Sequence, residues 1–161
     1  RSAIRARRFD LKGTYMKILI DADGCPVTEL AVKLANTYKI KALIFCDTSH
    51  EFAIDGAEVI TVSKGADSAD FALVNKAETG DIVITQDYGL AAMALAKRAT
   101  VITQNGLIIN DFNIDNLLYS RHMAKKARRS GMHLKGPSKR TKEQDTAFER
   151  ALTELLNKNN T

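Results

Sequence analysis

From Met16 onward, short apolar runs alternate with stretches of helical spacing, and this alternation constrains the fold more than any single motif. Lys17–Asp21 is an apolar run of the kind found in parallel strands covered on both faces. Pro26 suits the first turn of a helix, and Val27, Leu30, Ala31, Leu34 and Ala35 recur at helical spacing. Lys41–Cys46 and Glu58–Val62 read as the second and third strands. Eleven residues or so lie between them, near the minimum for a parallel crossover, so any helix there is short. Asp67 to about Glu78 reads as a helix anchored by Phe71, Leu73 and Val74 and closed by Gly80. Asp81–Gln86 is the fourth strand, Leu90–Arg98 a short Ala-rich helix, and Thr100–Thr103 the fifth strand, with an extension over Leu107–Ile109. Ile114, Leu117, Leu118 and Arg121 open a helix that turns basic and ends at Gly131. After a Gly-, Pro- and Ser-punctuated loop, Thr141-Lys142-Glu143-Gln144 fits a capping box. The last helix then carries Phe148, Leu152, Leu155 and Leu156 on one face. The expectation is an α/β domain over 16–161. Its mostly parallel, Rossmann-like sheet has about five strands flanked by helices, followed by a basic helix, a loop and a final helix.

Residues 1–15 show no periodicity and read as a leader or upstream extension, or as an Arg-rich targeting peptide. With 45% hydrophobic and 27% charged residues, the 161-residue chain has a globular composition, not a disordered or fibrous one. No apolar run approaches the roughly 18–20 residues of a membrane helix. Cys25 and Cys46 cannot make a disulfide framework, and a reducing, cytoplasmic setting is expected.

The net charge of +5 conceals a division. Residues 16–120 carry eight Lys/Arg against fourteen Asp/Glu, whereas residues 121–142 carry nine Lys/Arg and no acid. Such a strap steers a polyanion toward an acidic body. A solvated helix face followed by a flexible loop accounts for the charge equally well. Arg121, Lys125, Lys126, Arg128 and Arg129 on the helix, and Lys135, Lys139 and Arg140 beyond it, are the candidate phosphate contacts. Lys64, at the end of the third strand, is another. Tyr119 is the only ring near this run, so base stacking is not signalled.

Strand-to-helix turns of a parallel sheet lie at one edge, and ligands bind there where the strand order reverses. Three such turns carry acids: Asp21-Ala22-Asp23 after the first strand, Asp67-Ser68-Ala69-Asp70 after the third, and Asp87 after the fourth. Asp21 and Asp23 are two apart, so in an extended chain they point the same way. Asp67 and Asp70 are three apart and share a helix face. Two carboxylates at 4 Å repel by about 4 kcal/mol at an effective dielectric near 20. The rim must protonate, spread or bind a cation, and all-oxygen donors suit Mg²⁺ or Mn²⁺ better than Zn²⁺. A hard cation beside a basic strap points to phosphodiester hydrolysis. For Asp67 or Asp70 alone, helix capping is the simpler reading. Asp21 and Asp87, ending two buried strands, carry the functional one. Thr85 supports Asp87 through its hydroxyl or is simply a strand-favouring residue. Cys25 and Cys46 read as packed thiols.

Several motifs, in order, resemble the uncharacterised bacterial YaiI/YqxD family from Met16 to about Leu156. They are Asp21-Ala22-Asp23-Gly24-Cys25-Pro26, Gly65-Ala66-Asp67-Ser68-Ala69-Asp70, Gly80–Asp87 with Gly89-Leu90-Ala91-Ala92, Arg129-Ser130-Gly131, Gly136-Pro137, and Asp145 with Phe148. That family is grouped with PIN-like nucleases. The resemblance implies a Mg²⁺- or Mn²⁺-dependent nuclease site with its acids at Asp21, Asp67 or Asp70, and Asp87. The leading expectation is a nuclease acting on RNA in preference to DNA, with Asp21, Asp67 and Asp87 catalytic and metal-binding and Asp23 and Asp70 as further ligands or water-positioning groups. Tyr88 and Gly89 stand where such sites often carry a fourth acid, so either Asp23 replaces it or the site holds one metal. A non-catalytic RNA-binding or regulatory module with the same fold is the alternative. Locally, Leu19-Ile20-Asp21-Ala22-Asp23-Gly24 is similar to the nucleophile motif of haloacid dehalogenase-type phosphatases, which implies attack by Asp21 on phosphorus. Gly80-Asp81 with Asp87 is loosely similar to their acidic metal motif, although Asp81 begins its strand instead of ending it.

Overall fold

The computed structural model describes residues 15–47, 54–63, 65 and 68–159. The expected leader (except Tyr15), residues 48–53 of the connection between the second and third strands, Lys64 and Asp67 lie outside the described residues. Strands β1 (Lys17–Asp21), β2 (Lys41–Asp47), β3 (Glu58–Val62), β4 (Ile82–Ile84), β5 (Thr100–Ile102) and β6 (Ile108–Ile109) form one sheet in the order β3-β2-β1-β4-β5-β6. All pairings are parallel except β5–β6. Between them run α1 (Thr28–Thr37), α2 (Ser68–Lys76) and α3 (Tyr88–Ala96), and α4 (Ile114–Arg129) and α5 (Lys142–Asn159) follow.

The expected α/β class holds. The extension foreseen after the fifth strand is a separate sixth strand, antiparallel because the chain reverses at Thr103–Gly106. Thr103 N–H donates to Leu107 O at 2.9 Å and Gly106 N–H to Thr103 O at 3.0 Å. Gly106 has φ +86°, and a Cβ there would stand 2.7 Å from Ala147 O, so only glycine lets α5 approach this turn. The capping box also forms. Thr141 N–H donates to Gln144 Oε1 at 2.9 Å, and Gln144 N–H to Thr141 Oγ1 at 3.4 Å.

Strand periodicity sorts the core into two layers. Ile18, Ile20, Ile82, Ile84 and Ile102 pack with α1 and α5, whereas Leu19, Val83 and Val101 pack with α2, α3 and the start of α4. Cys46 lies fully buried in the first layer, as its apolar strand implies. Covered on both faces, Ile18, Leu19 and Ile20 retain no exposure. This is why β1 reads as a continuous apolar run instead of an alternating one.

The amino edge of the sheet is locked by an ion pair. Asp81 (1% exposed) takes Lys17 Nζ at 2.6 Å and the backbone N–H groups of Lys17 at 3.0 Å and Glu78 at 2.8 Å. Removing one partner leaves the other charge stranded where water is scarce, at a cost of several kcal/mol. Asp81→Ala should therefore lower unfolding stability by about 3 kcal/mol in urea titration. A loss below about 1 kcal/mol, the worth of a surface pair, would contradict this assignment.

Candidate active site at the carboxyl edge

The strand order reverses between β1 and β4, since β1 leads outward to β2 on one side and has β4 on the other. Asp21 ends β1, and Thr85, Gln86 and Asp87 follow β4 directly, so both acids reach the crevice at this switch point. A cleft of about 390 Å³ opens there, lined by Asp21, Asp23, Asp47, Asp70, Asp87 and Arg121 among others.

Thr85 ties the two central acids together. Its hydroxyl donates to Asp21 Oδ2 at 2.8 Å and accepts Asp87 N–H at 3.0 Å. The supporting role foreseen for Thr85 is thus wider than Asp87 alone, and its own burial at 2% exposure fixes the geometry. Asp87 is also the N-cap of α3. Its Oδ1 accepts Gly89 N–H at 2.9 Å and Leu90 N–H at 3.1 Å. Capping and lining the cleft are therefore not alternatives at this residue, because capping engages one carboxylate oxygen and leaves Oδ2.

Burial raises the Asp21 carboxyl above its ordinary range. The Thr85 hydrogen bond opposes the shift, and the charges of Asp87 and Asp23 add to it. Among the described residues no basic side chain pairs with Asp21. On the far side of the turn, Asp23 Oδ2 accepts Asp47 N–H at 3.3 Å. Asp47 was absent from the sequence-based set. Its strand runs one residue further than Lys41–Cys46, which puts its carboxylate on the same edge. The signal was an acid just past an apolar run. Asp70 lines the cleft from the first turn of α2.

The structure thus brings Asp21, Asp23, Asp70 and Asp87 to one cleft with Asp47 added, while Asp67 lies outside the described residues. Among the described residues no three His, Cys, Asp or Glu side chains are close enough together to form a preassembled metal cage. Mg²⁺ is commonly held by one or two carboxylates and keeps several waters. An under-neutralised pair such as Asp21 and Asp87 fits that demand.

Of the basic candidates among the described residues, Arg121 alone lines the cleft, its guanidinium carbon 4.6 Å from the centre of the Tyr88 ring. Lys125, Lys126, Arg128 and Arg129 continue along α4, exposed. Lys135 and Lys139 lie exposed on the connection to α5. Arg140 is engaged inside the fold. Its Nε donates to Asp145 at 2.7 Å, Nη1 to Asn105 at 2.6 Å and Nη2 to Gln104 O at 2.7 Å. It ties α5 to the β5–β6 turn, a task that a charge run does not reveal. Burial pushes the Cys25 thiol up, so it is not a pre-ionised nucleophile. Asp81 belongs to the opposite edge, paired with Lys17, and cannot join Asp87 in the acidic motif of the phosphatase likeness.

Residues 19–158 match the family model described as Uncharacterized BCR, YaiI/YqxD family. The chain is 50% identical over 141 residues to a UPF0178 protein of Exiguobacterium sibiricum, covering 88% of this chain and 96% of that protein. It is 53% identical over 144 residues to a UPF0178 protein of Alkaliphilus oremlandii, covering 89% and 93%. No solved structure matches the chain. None of the described helices is long and apolar enough to cross a membrane.

A carboxyl raised on folding binds its proton more tightly in the folded chain than in the unfolded one. The stability that proton lends is present below the ordinary carboxylate pKa and is lost as pH rises through the folded value. At neutral pH Asp21 is thus a half-buried charge that opposes folding. In chelator-treated protein, Asp21→Asn should raise the melting temperature at pH 7, and the gain should shrink as pH falls toward 4. A lower melting temperature than wild type across that range would contradict the electrostatic reading.

Proposed function

The chain belongs to the YaiI/YqxD family of uncharacterised proteins, whose name carries no activity, and from its carboxyl edge we propose a metal-dependent nuclease of the PIN-like kind. The observation that carries this reading is the half-buried Asp21 carboxylate, its pKa raised by burial and by Asp87 and Asp23, with no cationic side chain to neutralise it among the described residues. Asp21 and Asp87 would hold a Mg²⁺ or Mn²⁺ ion. Asp23, Asp70 and Asp67 would complete its shell or position water, with Asp47 now added to that group. When bound, the ion supplies a Lewis acid for the phosphodiester and eases ionisation of the attacking water. Thr85 holds the Asp21 carboxylate in one orientation, and α3, capped by Asp87, keeps that carboxylate facing the cleft. The basic residues of α4 and of the connection after it would hold the polyanion backbone. RNA is favoured over DNA because it offers unpaired stretches in loops and ends.

Addition of Mn²⁺ at about 100 times its Kd should stabilise the wild type by about 2.7 kcal/mol. For a domain of this size that is a rise of roughly 5–10 °C in melting temperature. Asp21→Asn should abolish the rise together with metal-dependent cleavage of a single-stranded RNA. Equal stabilisation of both proteins would contradict the assignment. Salt-sensitive RNA binding without cleavage in any divalent metal would favour the non-catalytic module instead. A covalent phosphate or its fluoride analogue trapped on Asp21 would favour the phosphohydrolase.

A further inference from the structure

The inward face of α4 changes character along its length. Ile114 is buried, and Leu117 and Leu118 pack partly buried against the core layer of α2 and α3. At about 100° per residue, Arg121, Lys125 and Arg128 fall on that same face, with Tyr119 opposite, 64% exposed. The side that is apolar where the helix lies on the body is therefore cationic where it passes the acidic cleft. A merely solvated helix would carry its charges on the outer face, away from Leu117 and Leu118.

Arg121 shows what this face is arranged to do. It lines a cleft with five carboxylates, yet among the described residues it forms no ion pair with any of them. It stacks on Tyr88 instead, at 4.6 Å. Stacking holds the guanidinium plane while leaving its fork of N–H donors available, which is the arrangement that takes phosphate oxygens. From Arg121 to Arg128 the three cations span about 10 Å along the helix axis at ~1.5 Å per residue. The cleft itself, at about 390 Å³, is near the small end of the roughly 300–1,000 Å³ range of small-ligand pockets. A single nucleotide unit is of the size that such a cleft takes.

We propose that the inner face of α4 is a track for one strand of RNA, which Arg121, steadied by Tyr88, clamps by a phosphate at the cleft while Lys125 and Arg128 follow the backbone outward. This rests on the nuclease reading for what happens at the cleft, but the track can be tested without cleavage. Arg121 is a positioning residue, and its charge alone is not sufficient, since a lysine does not reproduce a stacked, forked donor.

The test measures binding of a labelled single-stranded RNA, and of the same RNA paired with its complement, to the full chain in EDTA across a salt series. The single strand should bind at least about tenfold more tightly than the duplex. Arg121→Ala and Arg121→Lys should each weaken binding, the lysine recovering only part of it, as should Tyr88→Ala. Lys125→Ala with Arg128→Ala should flatten the slope of log K against log salt by about 1.4, at ~0.7 per released phosphate contact on a single strand. Lys33→Ala with Arg150→Ala, on helices of the other layer, removes the same charge and should leave both affinity and slope within experimental scatter. Equal slopes for the two double variants, equal affinity for strand and duplex, or full rescue by Arg121→Lys would overturn the track. If RNA binding is lost from the track variants while Asp21-dependent Mn²⁺ stabilisation persists, the track is supported and the metal site stands separately. If wild type binds no RNA but still takes up Mn²⁺ through Asp21, the track fails alone.

Discussion

Folding places the Asp21 carboxylate at the end of a strand covered on both faces and leaves it, among the described residues, without a cationic partner, and much else in the molecule follows from that. A carboxylate removed from water must be protonated, hydrogen-bonded or paired. Here Thr85 supplies one hydrogen bond of 2.8 Å, while Asp87 and Asp23 make the ionised form less favourable, not more. Thr85 is held in turn by burial and by the Asp87 backbone, and Asp87 by its capping of α3. The arrangement resists collapse of the acids onto a protein cation. It therefore keeps negative charge concentrated at the switch point, where ligands of open α/β sheets bind.

The two edges of the sheet make an internal comparison. At the amino edge, Asp81 immediately precedes β4 and is met by Lys17 at 2.6 Å and by two backbone N–H groups. At the carboxyl edge, Asp21 is only partly withdrawn from water, and Arg121, within the same cleft, stacks on Tyr88 instead of pairing with it. The fold can neutralise a buried aspartate and does so where the role is structural. Where it does not, the residual charge is a standing cost to stability, of the kind associated with functional sites.

The sequence made the architecture legible wherever hydrophobic period alone decides it. The strands buried on both faces, the helix face of Phe148 and Leu152, and the capping box at Thr141 were all visible. Placing Asp21 and Asp87 on one edge needed only the rule that strand-to-helix turns of a parallel sheet share a side. Less visible were features set by tertiary contact. Asp47 joined the cleft because β2 runs one residue beyond its apolar core. Arg140, apparently one more cation in a basic run, is bound by Gln104, Asn105 and Asp145, two of them more than thirty positions away. Arg121 differs from its basic neighbours only because the start of α3 brings Tyr88 beneath it. The charge run does not say which of its cations lie on the same face of α4 as Ile114, Leu117 and Leu118, which the burial of those three residues decides.

The central claim is that the Asp21–Asp87 crevice lacks a counterion that a divalent cation supplies. Anomalous diffraction from a crystal soaked in Mn²⁺ tests it most directly. The account predicts a manganese peak in the cleft within ligand distance of an Asp21 carboxylate oxygen, absent from an Asp21→Asn crystal treated identically. A cleft without a peak in the wild type, or one whose peak survives the substitution unchanged, would contradict it.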